Sequence, residues 1–119
     1  MGRFKDRSLS ERVFNFVVEV LKLIERLPKS RRNMIISDQL TRSATSTGAN
    51  LEEADGAISR REFTKFVNIA KREMKESNYW LRIVGAFEDN VAADIESLLK
   101  ESEELTRIFS SIVKKSSVG

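Results

Sequence analysis

Apolar residues recur along this chain in steps of three and four, the spacing that lines one face of a helix, and almost nowhere in the alternation of a strand. Ser8, Leu9, Ser10 and Glu11 form a capping box with Ser8 as N-cap, and Pro28 is a helix stop further along, so a first helix is expected over about 9–27. A second starts near Arg31 or Arg32 and covers 32–55, with Ile36, Leu40, Ala44, Thr47, Leu51 and Ala54 inward and Gly56 closing it. Ser59, Arg60, Arg61 and Glu62 make another capping box ahead of a third helix, 60–87, whose stripe is Phe63, Phe66, Val67, Ala70, Met74, Ser77, Leu81 and Val84. Glu88, Asp89 and Asn90 suit the positive end of a fourth helix, 91–113, carrying Val91, Ile95, Leu98, Leu99, Ser102, Leu105, Phe109 and Ile112. Both ends of the chain, including the tail from Lys114, are expected to be disordered. Four helices on short links predict an all-α, antiparallel up-down-up-down four-helix bundle, one domain over 1–119.

One stretch is ambiguous. Residues 43–49, SATSTGA, are poor helix formers and could be a loop. Helix is the preferred reading, because the apolar spacing from Ile36 to Ala54 keeps its phase and small side chains let backbones approach closely; a bend near Gly48 is compatible with it.

Composition narrows the chemistry. The 119 residues include neither cysteine nor histidine, which removes disulfides, thiol nucleophiles, the usual zinc sites and the commonest general base. Glu52, Glu53 and Asp55 cluster at the end of the second helix, but carboxylate metal sites in bundles draw on Glu-x-x-His motifs or on inward carboxylates from several helices. Glu53 and Asn50 are expected instead to bond backbone or an arginine such as Arg42. No phosphate-binding glycine loop or nucleophile elbow occurs, so the expectation is no enzyme, no cofactor and no metal. The N-terminus lacks a signal-peptide pattern, Asp6 breaks the myristoylation pattern, and no apolar run is long enough for a bilayer; a cytoplasmic protein without membrane contact is expected.

Charge and surplus apolar surface point to partners. On a helical wheel with steps of about 100°, the third helix divides into three faces. Beside the core stripe runs a second apolar strip, Ile69, Trp80, Ile83 and Phe87, flanked by Glu73 and Glu76, and the remaining arc holds Arg60, Arg61, Lys65, Lys71, Arg72, Lys75 and Arg82. The first helix is apolar over more than half its circumference, with Phe14 and Val18 beyond the core arc. Self-association through Phe14, Val18, Ile69, Trp80, Ile83 and Phe87 is the expectation; the plainer alternative is that these are rim residues of a wide core. The net charge of +3 is unevenly spread, seven Lys/Arg against three Glu over 60–82 and two against seven acids over 83–113. The basic arc is expected to bind nucleic acid, repeated by symmetry in an assembly, although exposed lysines and arginines can also serve only to solvate. Tyr79 is the one aromatic close to the arc, so phosphate contacts, weakly selective for sequence and sensitive to salt, are anticipated.

The residues Gln39, Leu40, Arg42, Ala44, Ser46, Asn50, Leu51, Glu53, Gly56, Ser59, Glu62 and Phe63, then Phe66, Ile69 and Ala70, resemble the pattern of the 23S rRNA intervening-sequence protein family, relatives of the accessory variability determinant of diversity-generating retroelements. Gly48 stands where many members have proline and Ala54 where many have glycine, and the segment from Lys75 to Leu81 resembles a subgroup variant. The resemblance implies a four-helix bundle, homo-oligomers that are typically pentameric rings and, for the retroelement members, binding of nucleic acid and a reverse transcriptase. The combined expectation is a non-enzymatic homo-oligomeric scaffold, a ring such as a pentamer, that binds RNA, DNA or a nucleic-acid-processing protein through basic helix faces. A protein-interaction adaptor without nucleic-acid binding is the alternative, and a carboxylate metalloenzyme a distant third.

Overall fold

The computed structural model describes residues 8–117. Four helices, α1 (Ser8–Glu25), α2 (Arg31–Asp55), α3 (Arg60–Phe87) and α4 (Ala92–Ser116), succeed one another, with a single 3-10 turn, Asp89–Val91, leading into α4. Links of a few residues turn each helix back along the last, and α1 and α3 each pack against both α2 and α4, giving the expected all-α bundle, about 48 × 21 × 21 Å. Among the described residues, no helix is long and apolar enough to cross a membrane.

The helix ends have identifiable causes. Amides of Arg26 and Leu27 bond the carbonyls of Leu23 and Ile24 at 3.0 and 3.1 Å, so the chain tightens and α1 finishes at Glu25, short of the expected 27, because the residue before Pro28 disfavours helical geometry. Ser30 caps α2, its hydroxyl accepting from the Asn33 amide at 3.0 Å. At α3, Ser59 accepts from the Glu62 amide at 3.1 Å, and the Glu62 carboxylate reaches back to the amide of Ile58, one residue beyond the usual reciprocal bond. Helix α4 continues past the expected 113, so Lys114 and Lys115 are helical and not a disordered tail: they suit the negative helix end, and Thr64 of α3 donates to Ser116 at 2.7 Å. The expected disorder of residues 1–7 and 118–119 lies outside the described residues.

Buried side chains from every helix form one core, including Phe16 and Leu23 of α1, Leu40 and Leu51 of α2, Met74 and Leu81 of α3, and Leu105 and Phe109 of α4. Each such burial stabilises the fold by roughly 1.5–3 kcal/mol before ordering costs. Helix α2 runs unbroken through 43–49, and its small residues explain why: Ser43, Ala44 and Thr47 are fully buried. There the Ser43 and Ser77 hydroxyls meet at 2.8 Å, and Thr47 satisfies its own hydroxyl on the Ser43 carbonyl at 2.9 Å. Asn78 ties α3 to α4 through the Ser102 hydroxyl at 2.7 Å. Close approach is extensive between α2 and α3 and between α3 and α4, and sparser for α1.

Candidate nucleic-acid interface

The helical period places the seven expected cations on a continuous arc of α3, outward and toward α4, opposite the buried row Phe63, Val67, Ala70, Met74, Ser77, Leu81 and Val84. Arg60, Arg61, Lys65, Arg72, Lys75 and Arg82 are exposed and Lys71 is half-buried. Elsewhere on the bundle, ion pairs join Arg12 with Glu101 and Glu104, Arg26 with Asp94, Arg32 with Glu88, Arg42 with Glu73 and Glu76, Lys22 with Glu19, and Lys100 with Glu96. Lys65 lies over the Phe66 ring, 5.3 Å from its centroid, and Arg82 donates to Asn78 Oδ1 at 3.0 Å while lying 5.6 Å from the Tyr79 ring centroid. Thus Arg61, Lys65, Lys71, Arg72, Lys75 and Arg82 keep their charge uncompensated by any described carboxylate within salt-bridge reach.

The acids of α3 lie on its other flank. Arg42 of α2 reaches Glu73 at 3.1 Å and also pairs with Glu76, whose second partner is the Trp80 indole N–H at 3.0 Å. Hydrogen bonds from Arg42 and then Trp80 hold the Glu76 carboxyl below its usual pKa, while the same two glutamates raise that of Arg42. Of the two partners expected for Glu53 and Asn50, backbone or an arginine such as Arg42, Asn50 takes backbone, donating to the Ser46 carbonyl at 2.9 Å and also to its hydroxyl at 3.1 Å, while Arg42 projects from the α3-facing side of α2 and engages Glu73 and Glu76.

The expected apolar interface residues divide into two patches. Trp80 and Ile83 are half-buried and lean on the core, Ile69 is half-buried, and Phe87 is 57% exposed with the Arg32 guanidinium 4.1 Å above its ring. This strip runs along the α2 flank of α3. Phe14, 68% exposed, and half-buried Val18 belong instead to α1, where Phe14 borders a groove of about 250 Å³ floored by Val13, Val17 and Gly48. Because α1 and α3 are diagonal, these residues occupy two different faces of the bundle.

Sequence reasoning misses several features. Glu88, almost fully buried, accepts from Asn33 Nδ2 at 3.0 Å and Arg32 at 2.9 Å, and the same Asn33 amide donates to the Pro28 carbonyl at 2.8 Å. The charge expected only to favour the α4 start thus fastens the α1–α2 and α3–α4 turns together, and Asn33, in phase with the inward stripe of α2, is its available signal. Met34, Ile35 and Ile58 are exposed apolar residues outside both expected patches. Among the described residues, Ser10 Oγ is buried and finds no hydrogen-bond partner. Among the described residues, no group of three or more acidic side chains is arranged to hold a metal ion.

Known proteins share this fold. A protein of unknown function from the S23 ribosomal protein family of Bacteroides thetaiotaomicron is 33% identical, with 89% of this chain and 98% of that one covered and a TM-score of 0.81. No curated protein matches the chain. The family described as 23S rRNA-intervening sequence protein matches residues 5–111, and neither it nor the structural relative carries an enzymatic description. By that match, which spans nearly all of the bundle, the chain belongs to the 23S rRNA-intervening sequence protein family.

Proposed function

We propose that this protein is a non-enzymatic, cytoplasmic helical scaffold that self-associates and binds nucleic acid, or a protein that processes it, through the basic arc of α3. The observation that carries the reading is the clustering of Arg61, Lys65, Lys71, Arg72, Lys75 and Arg82 along one flank of α3, out of salt-bridge reach of any described carboxylate, whereas Arg12, Arg26, Arg32 and Arg42 are each matched to carboxylates. A row of exposed positive charge on one flank attracts a polyanion by counterion release and reads no base sequence in doing so. The two apolar patches support self-association. Phe14 and Val18 of one copy against Ile69, Trp80, Ile83 and Phe87 of the next is a head-to-tail contact, which closes into a ring when the rotation per copy divides a full turn, a pentamer being the favoured number. Each added copy repeats the basic arc.

The test is fluorescence anisotropy with labelled RNA and DNA across a salt series, beside native mass spectrometry. Binding is expected at low salt, falling steeply as salt rises. Changing Arg61, Arg72 and Lys75 together to Glu should abolish it while the assembly mass stays unchanged. An assembled protein without affinity for either nucleic acid would leave the adaptor reading, and a monomer at micromolar concentration would remove the ring.

A further inference from the structure

An aromatic residue interrupts the row of cations on α3. Arg72, Lys75, Tyr79 and Arg82 are spaced in steps of three and four, so they lie along one side of the helix, with Tyr79 roughly 6 Å beyond Lys75 and about 4.5 Å short of Arg82 along the axis. Tyr79 is 46% exposed. Its ring meets the Trp80 ring near edge-on, with centroids 5.0 Å apart at 69°, and Arg82 lies 5.6 Å from its centroid. Those neighbours are themselves held: Trp80 by Glu76, Arg82 by Asn78, and Asn78 by Ser102 of α4. A flat ring, kept in place by anchored neighbours and left nearly half open among phosphate-binding charges, is what a base can stack on.

We propose that this row binds single-stranded nucleic acid, with Arg72, Lys75 and Arg82 on the phosphates and Tyr79 stacked on an unpaired base. This rests on the nucleic-acid reading above and narrows it. In a duplex the bases are already paired and stacked, so an aromatic ring on a convex helix surface meets only sugar and phosphate; a single strand can turn a base outward onto it. Every base has a stacking face, so the preference is for strandedness and not for sequence.

The experiment uses the full chain and three labelled probes of equal length, oligo-dT, oligo-U and a mixed-sequence DNA duplex, in the same low-salt buffer. Both single strands should bind more tightly than the duplex. Tyr79→Ala should weaken the single strands roughly 5- to 150-fold and leave the duplex within about twofold, while Tyr79→Phe restores single-strand binding. Arg72→Glu with Lys75→Glu should weaken all three probes. Comparable binding of single strand and duplex, or a Tyr79→Ala effect that is absent or equal on all probes, overturns the single-strand assignment and leaves the basic-face reading intact. Absence of binding to every probe removes both. The dT and U probes separate DNA from RNA, and circular dichroism of Tyr79→Ala checks that the helix content is retained.

Discussion

Gly48 shows how little a residue's identity says before its surroundings are known. In sequence it belongs to a run of small residues suited to close helix packing, yet a side-chain carbon built there would lie 3.7 Å from Val17 and 3.9 Å from Val13, ordinary contact distances. The crowding falls on its neighbours Ser43, Ala44 and Thr47, which are fully buried, and on Gly85, where the same carbon would come within 3.0 Å of Ile95. Gly48 therefore contributes backbone freedom in the middle of a helix and receives no close approach in return. Gly48→Ala should stabilise the protein by about 0.5–1 kcal/mol, seen as a rise of a few degrees in thermal melting; an unchanged or lower midpoint would show that the groove beside α1 needs the space. Glu88 is the opposite case. Its burial depends on Arg32 and Asn33, 56 and 55 residues away, and the residues around Glu88 itself do not announce it.

At the scale of the element, the helices are legible in the sequence because the 3.6-residue period and the capping residues are local: α3 begins at Ser59 with its hydroxyl on the Glu62 amide, as a Ser-x-x-Glu pattern implies. What joins the helices is less so. Arg42 meets Glu73 and Glu76 across separations of 31 and 34 residues, and the wheel of either helix alone ranks many carboxylates as equal partners. The candidate site is legible to the same degree: the basic arc comes from one helix's spacing, whereas the division of the apolar residues between two faces depends on how α1 and α3 sit around α2. The Arg42 pairing also has a pH signature. Since the Glu76 carboxyl is held below its usual value, its contribution is fully present above the unfolded carboxylate range near pH 4.3 and is lost as pH falls through the lower folded value. Glu76→Gln should thus cost on the order of 0.5 kcal/mol at pH 7, allowing for solvent screening of this partly exposed pair, with the gap to the parent protein closing in acid. Thermal melts of both proteins from pH 7 to pH 3 would reveal it, and a gap that widens in acid would contradict the assignment.

Across the whole molecule, the four helices are not equal partners. Helices α2, α3 and α4 are joined by long stretches of close backbone approach and by the Ser43–Ser77 and Asn78–Ser102 hydrogen bonds. Helix α1 approaches less closely; besides its buried side chains it is held by Arg12, which makes two hydrogen bonds to Glu101 and reaches Glu104, and by Arg26, just past its end, on Asp94, exposed enough to contribute little. Stability in such a molecule is expected to be unevenly distributed, with α1 as the least costly cooperative opening, a partial unfolding that leaves a three-helix remnant. In native-state hydrogen exchange its amides should share one opening free energy, lower than that of α2, α3 and α4; uniform protection across all four helices would refute this. That opening would expose the core side chains α1 itself contributes, Val13, Phe16, Val20 and Leu23, and the stretch of α2 around Gly48 on which it packs, so the lifetime of the intact bundle, and its exposure to proteases, would be governed by the detachment of one helix.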